Sequence, residues 1–198
     1  LADSAIFYRT NAQCRSFEEA LRRAGLPYTI VGAMRFYERK EIKDALCYAR
    51  VILNPADSVS FSRIINIPAR GIGKTSLDKI ENHAHACGLT ICEAFRKQAD
   101  IQNLTPACRR AANDLVAVLD KLRVDIVGVS ASRAIHLILQ ETGYWEWLES
   151  LVETDPEAAG RLGNLQELTN AVKEYEDKVR ASGVNVDLGQ YLEDVSLQ

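Results

Sequence analysis

The apolar positions change period twice within the first part of the chain. Ser4 to Tyr8 (SAIFY) is short, apolar and aromatic, the pattern of a buried strand. From Asn11 to Ala24 the period becomes helical, with Phe17, Ala20, Leu21 and Ala24 on one stripe and Gly25 as the stop. Pro27 to Val31 (PYTIV) reads as a second strand, ended by Gly32. Strand, helix and strand within about 30 residues have the size of a βαβ unit, which would set two parallel strands in one sheet.

From Glu38 onward the spacing is helical. Ile42, Ala45, Leu46, Ala49, Ile52 and Leu53 share one face, and Asn54-Pro55 ends it. Asp57 is placed to cap a short helix carrying Phe61, Ile64 and Ile65. Pro68 to Gly73 (PARGIG) predicts a tight turn, after which Thr75 or Ser76 would cap a helix running to about Ala86. Thr105-Pro106 joins an N-cap to a proline at the first helical position, ahead of Leu115, Val118, Leu119 and Leu122. A further helix is expected from Ser130 to about Thr142, stopped by Gly143, and the acidic stretch 141–157 reads as a solvated turn region. Asp155-Pro156-Glu157 opens a long helix with Leu162, Leu165, Leu168, Val172, Tyr175 and Val179 aligned; Gly183 stops it, and a short helix follows from Asp187. The expected class is therefore mainly α, a small α/β piece at the N-terminus followed by a helical, bundle-like body. Polar Asp100 to Thr105 divides it into 1–102 and 103–198.

Composition adds limits. The chain has 198 residues, 47% of them apolar, with a net charge of −3. It contains no run of about 18 apolar residues, so no membrane-spanning segment is expected. It begins at Leu1, its single Met is Met34, and no signal-peptide pattern opens it. These features suggest a fragment of a larger cytoplasmic protein. The small net charge hides an asymmetry: residues 1–80 carry 13 Lys and Arg against 8 Asp and Glu, and residues 81–198 carry 11 against 19. Such a split fits a basic, anion-facing front and an acidic back.

Five irregularly spaced cysteines, Cys14, Cys47, Cys87, Cys92 and Cys108, suit free thiols in a reducing compartment. His83, His85, Cys87 and Cys92 are zinc-type ligands, but on one helix His85 would point away from His83 and Cys87. No metal site is expected, and a zinc-stabilised interaction domain is the weaker alternative.

Three segments could carry chemistry. The first is the turn around Gly71-Ile72-Gly73, between two predicted helices in the manner of a helix–hairpin–helix. Its glycines would let backbone N–H groups approach a phosphate, and the next helix N-terminus favours an anion. Arg70, Lys74 and Thr75 flank it as candidate phosphate partners. Gly73-Lys74-Thr75 is not the tail of a P-loop, because that loop needs a glycine where Pro68 stands and must follow a strand. The second segment is Tyr8-Arg9, at the end of the first expected strand, where ligands gather in open α/β sheets. Tyr8 offers a face for a base and Arg9 a fork for phosphate. The third runs from Arg35 to Lys43, where Arg35, Arg39, Lys40 and Lys43 interleave with Phe36 and Tyr37 in a way that suits a nucleic-acid backbone and its bases. His136 has no nucleophile beside it in the sequence, and no hydrolytic dyad is evident.

Taken together, Tyr8 to Arg15 (YRTNAQCR), Phe36 to Asp44 (FYERKEIKD) and Asn66 to Gly73 (NIPARGIG) resemble, in order and separation, the UvrD/Rep/PcrA helicases of superfamily 1. Asn164 to Leu168 (NLQEL) extends the likeness toward the C-terminus. Cys14 stands where a serine is usual in that family, and Ala33 where a second glycine is usual. The resemblance implies ATP-driven 3′ to 5′ translocation on single-stranded DNA by a larger enzyme acting in repair or replication. It implies that residues 1–102 are part of the second RecA-like subdomain, 2A, with a helical extension and the Gly-Ile-Gly turn. Residues 103–198 would then belong to the helical subdomain 2B. It assigns Tyr8 to adenine stacking and Arg9 to the γ-phosphate, so the chain would form one wall of an ATP cleft. ATP and Mg2+ would be held only by the intact enzyme, and this fragment alone would be inactive. Its partners would be DNA, single-stranded and at a duplex junction, and the remaining helicase subdomains. The alternative is a non-catalytic helical module that binds DNA or protein.

Overall fold

In the computed structural model, which describes residues 4–8, 13–30, 36–180 and 186–196, the regular elements are ten α-helices and two short 3-10 turns. Helix α1 spans Cys14–Arg23, α2 Lys40–Leu53, α3 Ser58–Ile64, α4 Lys74–Cys87 and α5 Ile91–Arg96. Helix α6 spans Pro106–Asp125, α7 Ala131–Glu141, α8 Tyr144–Leu151, α9 Ala158–Arg180 and α10 Leu188–Ser196. The expected all-helical body is present.

The expected βαβ unit is not. No strand forms among the described residues: 4–8 and 26–30 run without ladder partners. A strand is held by hydrogen bonds to a neighbour, and an apolar run without one stays open to water. Phe7, 93% exposed, and Ile6, 52% exposed, show this directly. The intervening helix does form, ending at Gly25 with a positive φ of 65°.

Helix α2 is the axis of the molecule. Ile42, Ala45, Tyr48, Ala49, Val51 and Ile52 are wholly buried, so the helix is enclosed along most of its length, as a central helix must be. It packs against α3, α6, α7, α9 and α10. One apolar core accordingly runs from Phe36 to Val195 and crosses the 102/103 division. Leu53, the last residue of the expected face, lies partly exposed.

Two carboxylates enter this core with partners. Asp44 on α2 accepts from Arg63 Nε at 2.6 Å and from the Tyr144 hydroxyl at 3.1 Å. Glu41 accepts from Asn164 Nδ2 at 2.5 Å, and the Asn164 Oδ1 accepts from Arg39 Nη1 at 2.8 Å. Paired in this way, buried charge is tolerated; alone it would be driven to neutralise. Helix α1 joins the body through Arg15, which is 2% exposed and ion-paired to Glu167 and Glu174 of α9 and to Glu19 of α1 itself.

Helices α5 and α8 fall outside the expected set. α5 has only six residues and is fixed by a capping box between Thr90 and Glu93. α8 begins immediately after Gly143, whose φ of 70° ends α7 and starts the next helix in one residue. No helix among the described residues is long and apolar enough to cross a membrane.

Candidate nucleic-acid interface

The turn between α3 and α4 is built from both sides. Asp57 caps α3, accepting from the Ser60 amide at 2.9 Å and the Ser60 hydroxyl at 2.6 Å. Ile64, Ile65, Ile72 and Ile80 are buried to 2% exposure or less and anchor the two helices and the turn to one core. Gly71 takes a φ of 70°, the left-handed region that a side chain makes costly, so glycine is required there by the backbone. Gly73 differs. Its φ of −68° is ordinary, and a Cβ added to it, as to Gly71, would meet nothing within 4 Å. The fold leaves that surface open to close approach from outside.

Gly73 is the N-cap of α4, two or three residues earlier than the expected Thr75 or Ser76. Its carbonyl accepts from the Ser76 and Leu77 amides, and no side chain caps the helix. Helices α1, α2 and α8 also start without a side-chain cap, whereas α3, α5, α6 and α7 are capped by Asp57, Thr90, Thr105 and Ser130. An uncapped N-terminus turns unpaired N–H groups and the positive end of the helix dipole outward. Lys74 and Thr75 stand exposed on it.

Arg70 is not on that surface. It is half-buried, and its Nη1 donates to the carbonyls of Ile64 at 2.9 Å, Ile65 at 3.1 Å, Ile67 at 3.2 Å and Pro68 at 3.2 Å. Its Nη2 donates to the Tyr48 hydroxyl at 2.6 Å. The expectation of an outward Arg70 is corrected for a physical reason: the carbonyls at and just after the end of α3 converge, and one guanidinium reaches them together. Arg39 is corrected likewise. It is 6% exposed, lies over the Phe36 ring at 5.3 Å and donates to Asn164.

Lys40 and Lys43 do face solvent on α2. Arg63 Nη2 donates to the Lys40 carbonyl at 3.3 Å, which sets the start of α2 beside the end of α3. Arg9 and Arg35 lie outside the described residues. Tyr8 is half-buried and stacks on Phe17 of α1, ring centroids 6.1 Å apart.

The zinc-type residues do not converge. Cys87 is exposed beside His83, Cys92 is buried in the core, and no group of three or more His, Cys, Asp or Glu fit for a metal occurs among the described residues. Burial pushes the Cys92 thiol above its ordinary value.

Sequence reasoning passed over Asn66 and Tyr48. Asn66 Nδ2 donates to the Ile72 carbonyl at 2.6 Å while its Oδ1 accepts from the Ile72 amide at 3.2 Å. An asparagine ahead of a Gly-rich turn was the available signal, since its side chain can imitate a backbone partner. Tyr48 donates to the Ile67 carbonyl, and burial pushes its hydroxyl pKa up despite Arg70 alongside.

The chain matches the family model described as UvrD-like helicase C-terminal domain over residues 1–198. Among curated proteins it is 42% identical over 178 residues to the ATP-dependent DNA helicase PcrA of Bacillus subtilis, covering 90% of this chain and 24% of that protein. It is 38% identical over 207 residues to the ATP-dependent DNA helicase UvrD1 of Mycobacterium tuberculosis, with 98% and 26% covered. To the ATP-dependent DNA helicase PcrA of Staphylococcus aureus it is 36% identical over 195 residues, again with 98% and 26% covered. The chain thus spans about a quarter of the length of these relatives. With the family model matched from the first residue to the last, the chain belongs to the UvrD-like helicase C-terminal domain family.

Proposed function

We propose that this chain works as part of an ATP-dependent DNA helicase that translocates 3′ to 5′, and that the α3–α4 turn is its contact with duplex DNA at the junction. The observation that carries the reading is the uncapped N-terminus of α4, open at Gly73 and flanked by exposed Lys74 and Thr75. Backbone N–H groups there would take one phosphate and Lys74 its neighbour. Lys40 and Lys43 extend the basic front along α2, and Gly71 shapes the turn.

In the same reading Tyr8 and Arg9 form one wall of the ATP cleft. When bound, ATP supplies the free energy of translocation. Tyr8 would hold the base by stacking, its other neighbour being Phe17. Arg9 would meet the charge that grows on the transferred phosphoryl group. Mg2+ would be held with ATP in the intact enzyme. DNA and those subdomains are the partners the reading requires.

The test is the salt dependence of duplex binding by the intact enzyme. Lys74→Ala should weaken binding and flatten the slope of log K against log salt by about 0.9, the share of one phosphate contact. An unchanged slope and affinity would remove the turn from the DNA interface.

A further inference from the structure

Resting on the reading of the turn as a phosphate contact, we propose that Asn66 and Arg70 are positioning residues for that contact, holding the Gly71–Gly73 backbone in its binding shape without touching DNA themselves. Asn66 closes the loop from 66 to 72 with two hydrogen bonds to one residue, 2.6 Å to the Ile72 carbonyl and 3.2 Å from the Ile72 amide. Its side chain therefore acts as a short strand paired with Ile72. Ile72 is 2% exposed, so the middle of the turn is pinned from below by the core and from the side by Asn66.

Arg70 secures the other arm. Its Nη1 gathers four carbonyls, from Ile64 through Pro68, and its Nη2 meets the Tyr48 hydroxyl. The same hydroxyl donates to the Ile67 carbonyl, and the guanidinium carbon lies 5.9 Å from the centre of the Tyr48 ring. Tyr48 is wholly buried on α2, the axis of the fold. The connection therefore runs from core helix to guanidinium to turn, with the two Nη1 hydrogens shared among four carbonyls. Such preorganisation raises affinity by removing the ordering cost of binding, and it leaves the number of neutralised phosphates unchanged.

That distinction supplies the experiment, made on the intact helicase with a duplex probe across a salt series. Asn66→Ala and Arg70→Lys should each weaken binding about five- to tenfold. The slope against salt should stay as in the parent, whereas Lys74→Ala lowers it by about 0.9. Lysine keeps the charge of Arg70 but cannot span the several carbonyls that the planar fork reaches, so its failure to rescue is expected. Hydrogen exchange gives a readout free of DNA: the Ile72 amide should exchange at least about tenfold faster in Asn66→Ala, with Ile80 unchanged.

Parental affinity in both variants would overturn the positioning role while leaving the turn as a DNA contact. Lost affinity with Ile72 still protected would make Asn66 a direct contact, again overturning it. A Lys74→Ala variant with parental affinity and slope would remove the DNA reading, and the positioning role with it.

Discussion

Asn164 on α9 divides its amide between two charges that α2 and the turn before it bring into the core, accepting from Arg39 and donating to Glu41. All three residues are about 6% exposed. Asn164→Leu keeps the volume and removes both partners, so a guanidinium and a carboxylate would remain buried and poorly paired. We expect a loss of about 2–4 kcal/mol, read as a lower urea midpoint at unchanged denaturant slope. A loss below about 0.5 kcal/mol, typical of surface substitutions, would mean that water reaches the site and replaces the amide. The same residues mark a limit of the sequence at this scale. Lys40 and Lys43 were legible as solvent-facing, because a strongly hydrated ammonium rarely leaves water. Arg39 and Arg70 were not. An arginine goes where acceptors are, and the acceptors of Arg70 are carbonyls whose convergence depends on the fold.

Among the elements, the helix starts decide what is structural and what is free to bind. Asp57 illustrates a start closed by its own side chain. Burial works to raise its pKa, but hydrogen bonds from the Ser60 hydroxyl and amide outweigh this and hold it below the ordinary carboxylate value. A folded-state pKa below the unfolded one gives stability that is complete above the ordinary value and fades as pH falls through the folded value. Asp57→Ala should thus cost about 1 kcal/mol at pH 7. The difference from the parent should shrink below about pH 4 as the carboxyl protonates in both states. Urea midpoints at pH 7 and pH 3 measure it, and an undiminished gap at pH 3 would mean that ionisation of Asp57 is not what stabilises the cap. Asp57, Thr105 and Ser130 were visible in the chain because capping is local chemistry. Helix α5 was missed because six residues hold too little periodicity, although Thr90 and Glu93 carried the signal in their spacing. Helix α8 was missed because Gly143 is read as a stop, while its left-handed backbone also turns the chain into a new helix. The expected strands failed for a different reason: a strand needs a hydrogen-bonded neighbour, and none pairs with residues 4–8 or 26–30 among those described.

For the whole molecule, the charge asymmetry acquires a place. The basic first 80 residues contain Tyr8-Arg9, Lys40, Lys43 and the turn, and the acidic remainder contains most of the body that buries α2. The three family strings were legible because each is contiguous; the contacts that hold their residues were not, because they join positions as distant as Arg39 and Asn164. If the proposed roles hold, nucleotide chemistry and duplex contact lie on different segments and should separate in mutants of the intact enzyme. Arg9→Ala should lower kcat for DNA-stimulated ATP hydrolysis by about a thousandfold or more, since the charge it meets grows in the transition state. Duplex affinity in the absence of nucleotide should stay at the parental value. Lys74→Ala should do the reverse, shifting the DNA concentration for half-maximal stimulation while kcat at saturating DNA holds. The chain by itself, lacking a P-loop in its sequence, should hydrolyse no ATP with or without DNA. A parental kcat in Arg9→Ala would take that residue out of the cleft, and DNA-stimulated turnover by the 198 residues alone would refute the division of labour altogether.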